Sequence, residues 1–202
     1  MTRFRIILTV VCLTLAAGLA WAAFKAPRPQ GAAVSSSGKA AVGGPFRMVD
    51  QNGRPVNESL LEGKWSAVFF GFTYCPDVCP TTLQTLAAAK QRLGRKGEDL
   101  QFVFVSVDPE RDTPDKLKAY LDSDAFPRGV IGLTGTPEQV AATAKAYRVW
   151  FQKEGEGSDY LVNHSSYVYL MTPKGEFSRI LSAEQSPEQL AELVQKAMRE
   201  ES

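Results

Sequence analysis

The chain has 202 residues, 44% of them hydrophobic and 22% charged, with a formal net charge of +1. That length and apolar content suit one globular domain with a substantial core plus a tail, and the near-neutral charge gives no case for a nucleic-acid partner. A single histidine excludes any multi-histidine zinc or iron centre built within one chain.

Residues 6–24 form an apolar run free of charge, preceded by Arg3 and Arg5 and followed by Lys25 and Arg28. As a helix it spans roughly 28 Å, close to hydrocarbon thickness. A cleaved signal peptide competes with an anchor, because Ala20-Trp21-Ala22 offers small residues to a peptidase. The run is nevertheless longer than a usual signal core and continues through Phe24. The expectation is an uncleaved membrane anchor over residues 1–25, with the rest of the chain exported. Residues 26–44 are rich in Gly, Ala, Ser and Pro and read as a flexible linker with a typical end-to-end distance of about 25 Å. Cys12 is a small apolar residue of the membrane segment, so only Cys75 and Cys79 remain in the exported domain, 45–202. Two cysteines four residues apart are no disulfide framework for a domain this large, which makes them chemical groups rather than staples.

Within the domain, Asn52-Gly53 between short apolar pieces predicts a small hairpin. Residues 66–72 and 100–107 are nearly all apolar, as central strands covered on both faces should be. Residues 80–93 predict a helix, 113–121 a shorter one and 129–133 a third strand. Thr136 followed by Pro137 begins a helix running through Tyr147. The polar, Gly- and Ser-broken stretch 150–162 reads as a mobile loop that carries His164. Residues 166–171 and 176–181 form a hairpin, and Ser186, Pro187 and Gln189 open the last helix. Strands alternating with helices and closed by a hairpin give a three-layer α/β domain with a mixed central sheet, similar to the thioredoxin arrangement. A site is expected at the carboxyl end of a central strand, where Cys75 lies.

The cysteines stand in GFTYCPDVCP, Gly71 to Pro80. In a regular helix residues i and i+4 share a face, but Pro80 has no N–H and clashes with the carbonyl four residues back. The expectation is therefore a distorted turn over 76–79, with the regular helix starting at Pro80. Both sulfurs then sit by a helix N-terminus, which favours thiolate. Thiolate serves disulfide exchange and metal binding alike, so the third ligand decides. Two thiolates select Cu(I), or zinc when further ligands are present, and structural zinc wants four protein ligands. His164 is the one histidine, immediately before the strand SYVYLM. A strand-capping histidine and a third ligand are both open readings; a Cys₂His set fits copper better than other common metals.

GFTYCPDVCP, VSVDPERDTPDKLKAY (Val105 to Tyr120) and His164 before VYLM together resemble the Sco family, also called SenC. The resemblance covers roughly 45–200 and includes the anchor. It implies a thioredoxin-like copper protein, anchored in the bacterial inner membrane by a single pass with its C-terminal domain in the periplasm. The implied metal ligands are Cys75, Cys79 and His164, with Cu(I) and also Cu(II) as the bound ion. Asp77 and Asp108 are implied to tune the site or orient a ligand, Asp108 alone of its motif facing the metal. Tyr74 stands where many relatives have His. The implied function is a metallochaperone that delivers copper to the binuclear copper centre of cytochrome c oxidase during assembly, which is not catalysis on a small substrate. Its partners are the copper-accepting oxidase subunit and a periplasmic copper donor or thiol reductant. The alternative is a thiol-disulfide reductase, with Cys75 and Cys79 as its redox pair, that keeps the oxidase subunit's copper-ligating cysteines reduced. A peroxiredoxin-like peroxidase is the weakest reading, since no arginine lies near Thr73 in sequence.

Overall fold

The structure is a computed structural model that describes residues 42–201. The expected anchor and all of the linker before residue 42 lie outside the described residues. Among the described residues no helix is long and apolar enough to cross a membrane.

The domain opens with β1 (Arg47–Asp50) and β2 (Pro55–Asn57), an antiparallel pair. Their turn needs a left-handed residue, which Gly53 supplies at φ 76°. Asp50 fixes the turn by accepting from the backbone N–H groups of Asn52 and Arg54 at 2.8 and 2.9 Å. Next come β3 (Trp65–Gly71), α1 (Val78–Leu93), β4 (Leu100–Ser106), α2 (Pro114–Leu121), β5 (Ile131–Thr134) and α3 (Pro137–Ala146). A separate ribbon of β6 (Phe151–Glu154) and β7 (Leu161–His164) follows, then β8 (Tyr167–Met171), β9 (Phe177–Ser182) and α4 (Pro187–Glu200).

The main sheet has the order β2-β1-β5-β4-β3-β8-β9, with β3, β4 and β5 parallel and the flanking strands antiparallel. This is the mixed sheet of the thioredoxin-like reading. Every residue of β3 is buried, because helices cover both faces. On one face Phe104 meets Tyr120 of α2, and α1 packs beside α4. On the other, Phe70 packs against Tyr147 at the end of α3, 5.2 Å between ring centroids. Phe69, Phe70, Phe102 and Phe104 are fully buried, each contributing about 1.5–3 kcal/mol relative to an exposed side chain.

The helix starts follow local chemistry. Thr136 and Ser186 each form a capping box with Gln139 and Gln189, and each is followed by proline at the first helical position. The predicted start of α1 is corrected: the helix begins at Val78, with Asp77 as its cap and Pro80 inside its first turn. The first-turn N–H groups have no partner within a helix, so a proline there removes no hydrogen bond. The bend expected before the helix is real but shorter, covering Pro76 and Asp77.

The predicted loop over 150–162 is also corrected. Phe151 pairs with His164 and Glu154 with Leu161, so His164 ends a strand, and only 155–160 is a connection. Gly155 and Gly157 carry the turn at φ 99° and 76°. The strands escape a sequence reading because three of the four residues of β6 are exposed and polar, without the apolar alternation that marks a half-buried strand.

Candidate metal and thiol site

β3 delivers the chain to the site. At its last residue, Gly71, α1 lies close against the sheet: a Cβ there would lie 2.8 Å from Cys79 Sγ and 2.9 Å from Phe104 Cε2. After Gly71 the chain turns, with the Cys75 N–H donating to the Phe72 carbonyl at 3.2 Å. The Cys79 N–H, at the start of α1, donates to Cys75 Sγ at 3.4 Å. Cys79 is fully buried and Cys75 half-buried.

His164 arrives from the end of β7. Its Nε2 lies 3.6 Å from Cys79 Sγ. Its Nδ1 lies 3.1 Å from the Ser165 carbonyl, an acceptor only, so Nδ1 carries a proton and donates there, which fixes the ring with Nε2 towards the sulfurs. The rings of Phe69 and Phe72 stand edge-on to the imidazole, with centroids 6.3 and 5.9 Å away. Cys75, Cys79 and His164 thus bring their donor atoms within 4.8 Å of one another, and no carboxylate joins this cluster among the described residues.

The two thiols divide their proton unequally. A hydrogen bond from Cys79, then one with His164 and the N–H groups of Cys79 and Asp77, hold the Cys75 thiol down to about 4. The same interaction with Cys75, together with burial and the Cys75 charge, pushes Cys79 up. At neutral pH Cys75 is a half-exposed thiolate beside a buried Cys79 thiol. Iodoacetamide is therefore expected to modify Cys75 before Cys79, at a rate nearly flat from about pH 6 to 8, because Cys75 is already ionised. Peptide mapping of the labelled, metal-free protein checks this; a Cys75 rate climbing about tenfold per pH unit, as an ordinary thiol's does below its pKa, would contradict it.

The acids around the cysteines differ in their surroundings. Asp77 is exposed, and its carboxylate meets the Thr81 hydroxyl at 3.3 Å; what it gives Cys75 is its backbone N–H. Asp108 is buried, but its carboxylate is engaged by Arg111 Nε and by the Tyr160 hydroxyl, the latter at 2.6 Å. The carboxylate tied to the cysteine loop is that of Asp112, which accepts from the Thr73 N–H at 3.1 Å, the Thr73 hydroxyl at 2.6 Å and the Ser106 hydroxyl at 2.6 Å. The cap of α2 is Thr113, whose side chain accepts from the Lys116 N–H. Asp112 and Arg111 escape a sequence reading as site residues although both stand in the DPERDTP motif; an aspartate just before a helix reads locally as a cap.

A thioredoxin-like domain with a thiolate, a thiol and an imidazole converging past its central strand belongs to the proteins that handle soft metals or exchange disulfides. The comparisons narrow that class: the SCO1/SenC family pattern matches residues 34–199, and the chain belongs to that family. It is 44% identical over 167 residues to the mitochondrial SCO1 homolog 1 of Arabidopsis thaliana, covering 82% of this chain and 49% of that protein. SenC of Rhodobacter capsulatus is 41% identical over 161 residues, 79% of this chain and 72% of that one. The structure of Arabidopsis thaliana ScoI with copper bound matches at TM-score 0.75 and 42% identity, covering 79% of this chain and 99% of that chain. Yeast Sco1 with copper bound matches at TM-score 0.74 and 36% identity, over 81% and 91%. The chain spans about half the length of the mitochondrial SCO proteins it matches first.

Proposed function

We propose that this protein is a copper chaperone that delivers its ion to the binuclear copper centre of cytochrome c oxidase during assembly. The observation that carries the reading is the convergence of Cys75, Cys79 and His164 within 4.8 Å, in a family whose relatives include structures with copper bound. The donors fit the cargo. Two sulfurs and one imidazole nitrogen satisfy Cu(I), which accepts two or three soft ligands, and fall short of the four protein ligands of structural zinc. Cu(II) is held by the same set with an added weak ligand. Copper binding displaces the proton of Cys79, which the Cys75 thiolate and burial otherwise hold in place. With Cys75 half-exposed at the rim, an acceptor's thiolate reaches the ion by exchange of one ligand at a time.

In this reading the domain stands in the periplasm, tethered by the linker to a single-pass anchor in the inner membrane, within reach of the membrane-bound acceptor. It receives copper from a periplasmic donor. Copper(I) competition titration of the reduced domain tests the proposal. Wild type is expected to bind one ion, and His164→Ala to bind at least about tenfold more weakly and to change the Cu(II) absorption spectrum. Reduced wild type that binds no Cu(I) removes the copper reading. An unchanged affinity and spectrum in His164→Ala removes only the ligand role of His164.

The unequal thiols favour a second, compatible reading as a thiol-disulfide reductase. The Cys75 thiolate attacks a substrate disulfide, forming a mixed disulfide and releasing one substrate thiolate. Cys79 then loses its proton and attacks Cys75 Sγ, leaving the Cys75–Cys79 disulfide and the second substrate thiolate.

A further inference from the structure

The ribbon that carries His164 pairs with no strand of the main sheet; its base continues into β8 after two residues, while its far end is held by contacts with side chains of the neighbouring loop. We propose that Arg111 is the positioning residue that sets the distance of the imidazole from the cysteines; the inference rests on the metal-site reading above. Its side chain is 13% exposed and its Nε is ion-paired with the buried carboxylate of Asp108. Nη1 donates to two carbonyls in the ribbon's connection, those of Ser158 at 3.2 Å and Tyr160 at 2.9 Å. The guanidinium lies 3.6 Å from the centroid of the Tyr160 ring and 4.6 Å from that of Tyr74, the residue before Cys75. It stands 5.9 Å from the centroid of Phe72, whose ring meets His164 edge-on. Nη2 is buried without a hydrogen-bond acceptor among the described residues, so that edge of the group is held by ring faces.

One side chain therefore touches the far end of the ribbon, the residue preceding the first cysteine and the ring that buttresses the histidine. The Tyr160 hydroxyl closes the assembly by donating to Asp108 at 2.6 Å, and Lys153 of β6 adds an exposed pair with Glu110 at 2.9 Å. The exposed pair contributes little; the planar fork of Arg111 joins hydrogen bonding and stacking in a way a lysine ammonium does not reproduce. Arg111 touches none of the three donor atoms and acts through the ribbon that carries the imidazole.

Two measurements on Arg111→Met and Arg111→Lys test this, each in the wild-type and His164→Ala backgrounds. In metal-free, reduced protein, amide exchange of 151–154 and 161–164 is expected to quicken roughly tenfold in both variants, with β3 and β4 unchanged. Copper(I) affinity is expected to fall about tenfold where His164 is present and to stay constant in His164→Ala, the coupling expected of a residue that acts through the imidazole. Equal losses in both backgrounds, or ribbon exchange that stays at the wild-type rate, would overturn the proposal. Should the reduced protein bind no Cu(I), the metal-site reading fails and the exchange measurement alone decides whether Arg111 holds the ribbon.

Discussion

Cys79→Ser is expected to lower the Cu(I) affinity of the reduced domain by more than the roughly 100-fold that outer partners of a metal site can contribute, while the domain stays folded. The sulfur is the most enclosed of the three donors: Cys79 is 0% exposed, and its Sγ lies 3.6 Å from His164 Nε2. Serine is nearly isosteric, so the close approach of α1 to Gly71 survives, and the backbone N–H of residue 79 still donates to Cys75 Sγ. The lost quality is softness: a hydroxyl stays protonated at neutral pH and is a hard ligand, leaving the ion one thiolate and one imidazole. Thermal unfolding should show a change of no more than about 1–2 kcal/mol, since the new hydroxyl has the Cys75 thiolate as an acceptor. Retention of one Cu(I) at wild-type affinity by a folded Cys79→Ser protein would place the metal elsewhere. The same variant separates the two functional readings. If Cys75 is the attacking thiolate of a reductase, Cys79→Ser traps a mixed disulfide with a disulfide peptide and Cys75→Ser does not.

What the sequence revealed of this site divides by range. Signals that act within one turn of chain were legible: the Asn52-Gly53 turn, the Thr136 and Ser186 caps and the pairing of thiols by spacing all depend on neighbours. Pro80 shows a local rule applied one position too far, because the proline penalty begins only where a helix has a donor to lose. His164 was legible as a candidate only through its solitude and the family pattern. Its approach to Cys79, 85 residues away, is set by a ribbon whose strands are too exposed and polar to announce themselves. Asp108 and Asp112 show the same limit from the other side. Both belong to one loop, and which of them ties to the cysteines depends on where Thr73 and Tyr160 come to rest, 39 and 52 residues away from their partners. The order of strands in the sheet likewise follows from packing across the whole core.

Asp112→Ala is expected to destabilise the domain by about 3 kcal/mol and to loosen the cysteine loop. Asp112 is fully buried, and its carboxylate accepts from three donors, two of them on Thr73, two residues before Cys75. Alanine leaves the part-buried Thr73 N–H without its acceptor, a loss of about 1–3 kcal/mol, while the two hydroxyls can rotate to recover part of theirs. For a domain of this size a loss of about 3 kcal/mol lowers Tm by roughly 6–12 °C. The charge itself opposes folding. Burial raises the Asp112 carboxyl above its ordinary 3.8, the hydrogen bonds from Ser106 and Thr73 pull it back, and the Asp108 charge raises it further. A folded-state pKa above the unfolded one stabilises the folded state while the group is protonated, and that contribution is lost as pH rises from about 3.8 through the raised value. Asp112→Asn, which cannot ionise, should therefore gain on wild type as pH climbs through that window and run parallel to it above. Thermal and denaturant unfolding of the three proteins at a series of pH values measure both effects. A Tm for Asp112→Ala within about 2 °C of wild type would mean that the Thr73 and Ser106 donors find other acceptors and that the cysteine loop does not hang on this carboxylate. With the predicted loss, the thiolate of Cys75 and the reach of His164 both rest on the one loop, 108–113, in which Asp112 holds the cysteine side and Arg111 the ribbon side.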